Sequence, residues 1–75
     1  MKRFLALWSR YGLKRGETFP TQKQAKKFLT EQSDAALIFP ITVYDTKEDK
    51  IIWKNEALSD DMVMARVRKH LTGWY

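Results

Sequence analysis

Residues 36–55 read ALIFPITVYDTKEDKIIWKN, and how this stretch folds decides the architecture. Ile41, Thr42, Val43 and Tyr44 are β-formers, and so are Ile51, Ile52 and Trp53. Branched and aromatic side chains of this kind fit a pleated, half-buried surface. The polar run DTKEDK at 45–50 lies between the two groups, so the pattern predicts a β-hairpin with a loop of several residues. Pro40 stands at the start of the first strand, where its missing N–H is tolerated. Two registers are open. Pairing Asp45 with Lys50 sets Val43 opposite Ile52, whereas a one-residue slip sets Val43 opposite Trp53 and exchanges the inward-facing set.

An isolated hairpin is marginal in water, so a further strand is needed. Residues 2–11, KRFLALWSRY, are the candidate. Periodicity alone leaves them ambiguous. Met1, Phe4, Leu5, Trp8 and Tyr11 fit a helical stripe, while Leu5 and Leu7 alternating with Ala6 and Trp8 fit a strand buried on both faces. They are assigned as a strand because Gly12, Lys14, Arg15, Gly16 and Pro20 then mark a turn-rich loop, directly before a helix start. A short extra strand over 17–19 could pair back on the first.

The two helices are signed at their ends. Thr21 can cap the first, and Gln24 three residues on completes a T-x-x-Q capping box after Pro20. Ala25, Phe28 and Leu29 form its apolar face. Its end is expected near Gln32, where Ser33 and Asp34 begin a turn. Ser59 can cap the second helix, with Leu58 stapled to Val63. Asp60 and Asp61 suit its positive end, and Arg66, Arg68, Lys69 and His70 suit its negative end. Val63, Val67, Leu71 and Trp74 form one stripe, and Gly73 is a stop. The expected fold over 1–75 is one α+β domain, β-α-β-β-α. It has a small three-stranded, mainly antiparallel sheet with both helices packed on one face.

Composition then limits function. The chain has 75 residues, no cysteine, 44% hydrophobic and 13% aromatic residues, and a net charge of +5. Thiol nucleophiles, thiolate metal sites and disulfides are excluded. No stretch approaches the ~18 apolar residues of a membrane span, so a cytoplasmic protein without membrane association is expected. His70 is the only histidine, and Ser59 is already used as a cap. Asp60 and Asp61 fall in a helix first turn, and no glycine-rich phosphate loop is present. Asp45, Asp49 and Glu56 fall at calcium-loop spacing, but Lys47 and Lys50 occupy the positions that need an oxygen ligand and a glycine. The expectation is a non-enzymatic binding protein with no cofactor and no metal.

Two partner classes remain. Lys23, Lys26 and Lys27 cluster on the polar side of the first helix, and Lys14 and Arg15 in the preceding loop could extend them into a phosphate-tracking stripe. Arg66 and Lys69 supply a second cationic face. With both helices on one side of the sheet, Trp8, Tyr44 and Trp53 become candidates for the open face, Tyr44 foremost. These residues suit nucleic acid. They equally suit a protein partner, as in an adaptor or inhibitor of the kind that phages and mobile elements carry, because Trp, Tyr and Arg dominate interface hot spots. Neither an aromatic RNP-type segment nor a GxxG loop is present.

Overall fold

The strand expected within residues 2–11 forms, and it pairs on both of its edges. The structure, a computed structural model, describes residues 2–36 and 38–73, with 33–36 described as backbone only. Its elements are β1 (Phe4–Arg10), β2 (Leu13–Phe19), α1 (Gln22–Ala36), β3 (Phe39–Asp45), β4 (Lys50–Lys54) and α2 (Asp60–Thr72). All neighbouring strands are antiparallel in one four-stranded sheet ordered β2-β1-β3-β4. The α+β class stands. The β-α-β-β-α order and the three-strand count are corrected to β-β-α-β-β-α and four.

The correction begins at Tyr11 and Gly12. Both have positive φ, 52° and 80°. That is the signature of a type I′ two-residue turn, whose twist matches a tight hairpin. Arg10 therefore pairs with Leu13, and the ladder continues to Phe4 opposite Phe19. Lys14, Arg15 and Gly16, expected in a loop, are strand residues. The short strand considered over 17–19 is the distal half of β2.

A second correction concerns the helices, which cover opposite faces of the sheet. Ala25 and Leu29 of α1 pack with Phe4, Ala6, Ile38 and Val43. Val63 and Val67 of α2 pack with Leu5, Leu7, Ile41 and Tyr44. The cause lies in β1. Its residues Phe4, Leu5, Ala6 and Leu7 are all buried, so both faces of this central strand carry apolar surface that must leave water.

Two bulges adjust which side chains meet each helix. Leu7 pairs with Thr42 and Trp8 with Pro40, which leaves Ile41 as an extra residue. Ile41 can then join Tyr44 on the α2 face while Val43 joins the α1 face. On β4, Ile52 is the extra residue between Tyr44–Ile51 and Val43–Trp53. Both elements of the open register are thereby realised, since Asp45 pairs with Lys50 and Val43 still faces Trp53. The Thr42 hydroxyl donates to the Trp53 carbonyl across this irregularity.

The caps form as read. The Gln24 N–H donates to the Thr21 hydroxyl at 3.2 Å, and the Met62 N–H to the Ser59 hydroxyl at 3.2 Å. Gly73 takes the left-handed conformation that ends α2, with φ 79°. Helix α1 runs on to Ala36, past the expected end near Gln32. Asp45, only 1% exposed, locks the start of the chain to the β3–β4 turn. It accepts from Arg3 Nε at 2.9 Å and Nη2 at 2.8 Å, and from the backbone N–H groups of Lys47 and Glu48. The Arg3 guanidinium holds the Asp45 carboxyl well below the usual carboxylate range.

Candidate functional site

The His70 side chain of α2 reaches the β2 backbone, and Gly16 leaves the room for it. A Cβ on Gly16 would lie 2.3 Å from His70 Cε1 and 2.8 Å from each ring nitrogen. Glycine inside a strand often marks such an approach, because hydrogen is the only substituent that fits. The imidazole therefore rests on the β2 backbone, half-buried. Burial pushes its pKa below the ordinary value, because taking the ring out of water disfavours the charged form.

Around this contact lies a shallow concavity with room for about 10 Å³, roughly one water. Leu7 of β1 and Ile41 of β3 supply apolar lining, and His70 closes one side. Lys14 and Arg15 of β2, with Arg66 and Lys69 of α2, complete the lining, which includes no acidic residue. Arg15 pairs with Trp8 and so directs its side chain to the α1 face, which leaves the Lys14, Arg66 and Lys69 side chains, all of one charge, to repel one another around a small apolar depression. The negative end of α2 offsets part of that, since Lys69 and His70 lie in its last turn. An anion would offset the rest. Arg offers a planar fork for phosphate or carboxylate oxygens, and Lys a mobile point charge.

The structure thus unites Lys14, Arg66 and Lys69, which the sequence had divided between two faces, while the Arg15 side chain lies on the α1 face. It separates them from Lys23, Lys26 and Lys27. Those three are exposed on α1, which covers the other face of the sheet. Lys27 Nζ also lies 3.8 Å from Glu31 Oε1 in an exposed pair of small energetic value. Of the stripe expected to join Lys14 and Arg15 to the α1 lysines, Lys14 instead joins a seam with α2, and Arg15 shares the sheet face that α1 covers.

Tyr44 requires a correction. Expected to be the most exposed aromatic, it is 1% exposed, because α2 packs on its face of the sheet. Its hydroxyl donates to Asp49, which sits in the β3–β4 turn with φ 58°. Burial, with that hydrogen bond in support, pushes the Tyr44 pKa up to about 12. Its role is to hold the hairpin, and it leaves the set of binding residues. Trp8 is half-buried and meets Phe28 edge-on at 5.0 Å, and Phe28 meets Phe19 at 5.1 Å. Trp53 is 38% exposed and pairs with Val43 in the ladder. With a helix on each face, no open aromatic sheet face exists among the described residues.

Three residues escaped the sequence reading: Gly16, His70 as part of the concavity, and Tyr11, which is 82% exposed at the β1–β2 turn. Gly16 carried a usable signal, an isolated glycine in a strand, but only once residues 13–19 are read as a strand. Among the described residues, no group of three or more His, Asp or Glu side chains could hold a metal ion. No described helix is long and apolar enough to cross a membrane. Comparison with protein-family models, with curated proteins and with solved structures gives no match.

Proposed function

We propose that this chain is a small, cytoplasmic, non-enzymatic protein that binds nucleic acid through the β2–α2 seam. The observation that supports this most is the convergence of Lys14, Arg66 and Lys69 on one concavity whose lining includes no acidic residue. A net charge of +5 adds long-range attraction for a polyanion. Contacts of this kind go to phosphates, so they set affinity and position more than sequence preference. The inventory of one histidine, no thiol and no phosphate loop supports a binding role over a catalytic one.

Charge reversal tests the site. Lys14→Glu combined with Lys69→Glu is expected to abolish the gel shift of a short oligonucleotide at low salt. Lys23→Glu combined with Lys26→Glu is expected to leave most of it. The opposite ranking would refute the seam as the site. A second reading, a protein-interaction module, draws on the exposed apolar residues Leu13, Phe39 and Met62. It takes precedence if the wild-type protein binds neither DNA nor RNA at low salt.

A further inference from the structure

Tyr11 occupies a backbone position that suits it poorly. Both residues of the β1–β2 turn have positive φ, and the first position of such a turn favours Asn, Asp or Gly. A bulky side chain in the left-handed region is an outlier. Among the described residues, the other non-glycine residue with positive φ is Asp49, a type that tolerates it. Tyr11 also belongs to neither core cluster and is 82% exposed. Its neighbour across the turn, Leu13, is 60% exposed. Stability therefore gives no reason for a tyrosine here, and backbone strain kept at an exposed tip points to use.

The surroundings indicate which use. The Arg10 guanidinium lies 5.4 Å from the Tyr11 ring centre, so two planar groups that both stack on bases sit together. Lys14 follows in the next strand and leads from the tip to the cationic concavity. Phosphates have partners along the seam, and a base has one at the tip.

We infer that the β1–β2 tip, Tyr11 flanked by Arg10 and Leu13, is a base-stacking platform that makes the protein select single-stranded nucleic acid. This rests on the nucleic-acid reading of the seam. Duplex bases are already stacked on one another, whereas bases of a single strand have free faces for an aromatic ring. The platform distinguishes a strand with bases from one with phosphates alone, which the lysines and arginines cannot do.

The test compares a labelled oligothymidylate with an abasic strand of equal length by fluorescence anisotropy. One stacked base gives the wild-type protein an expected preference of about 5- to 150-fold for the strand with bases. Tyr11→Asn suits the turn better, so its melting temperature is expected to match or exceed the wild-type value. Its preference is expected to fall to near one, with abasic binding unchanged. Tyr11→Phe is expected to keep the preference. A Tyr11→Asn protein that retains it, or wild-type protein that binds both strands equally, overturns the stacking role and leaves phosphate binding at the seam intact. Failure of both strands to bind at low salt overturns both proposals.

Discussion

Replacing Gly16 with alanine puts a methyl group where the His70 ring already lies. The added carbon would sit 2.3 Å from His70 Cε1, against about 3.5–4.0 Å for carbon atoms in ordinary contact. The ring must turn away or α2 must lift from β2. Overpacking of this kind costs about 1–3 kcal/mol. An opposing term exists, because glycine inside a strand is disfavoured relative to alanine by about 0.5–1 kcal/mol. The net expectation is a loss of about 1 kcal/mol, which for a domain of this size lowers the melting temperature by about 4–8 °C. The sign should reverse when the obstacle is removed. In a His70→Ala background, Gly16→Ala is expected to stabilise by about 0.5–1 kcal/mol. Urea or thermal unfolding of the four proteins, followed by circular dichroism, gives the coupling energy directly. An equal effect of Gly16→Ala in both backgrounds would refute the β2–α2 contact.

The remaining expectations concern pH. His70 has a folded pKa below its ordinary 6.5, so the unfolded chain takes up its proton first and stability declines as pH falls through that value. His70→Gln should flatten this part of the stability profile, and a profile that keeps its slope in the variant would contradict the burial of the ring. Asp45 is depressed in the folded state, so its contribution is complete above the unfolded value of 3.8 and is lost as pH falls below it. Asp45→Asn should destabilise the protein at pH 7 and narrow the gap from wild type in acid, while a constant gap would argue against the Arg3–Asp45 pair.

What could be read from the residues was local. The β3–β4 hairpin announces itself through Ile41, Val43, Ile51 and Ile52. The caps at Thr21, Ser59 and Gly73 depend only on nearby backbone. Strand β2 was harder, because LKRGETF buries little and becomes a strand only by pairing with β1. Its turn was masked too, since Tyr-Gly is an unusual way to write a type I′ turn. The apolar run FLAL already implied that β1 needs cover on both faces, but placing both helices on one side set that implication aside. Tyr44 was misplaced for the same reason, as its burial follows from α2 lying on its face. For the site, charge identified Lys14, Arg66 and Lys69 individually. Their convergence depends on β2 being a strand and on Gly16 admitting His70, both tertiary facts.

The salt dependence of oligonucleotide affinity tests the seam most directly. Three cations engaging three phosphates of a single strand give a slope of log K against log salt of about −2. Removing two of them in Lys14→Ala/Lys69→Ala should bring the slope to about −0.7, while Lys23→Ala/Lys26→Ala should leave it near the wild-type value. A slope near zero, or one that the α1 pair reduces and the seam pair does not, would contradict nucleic-acid binding at the β2–α2 concavity.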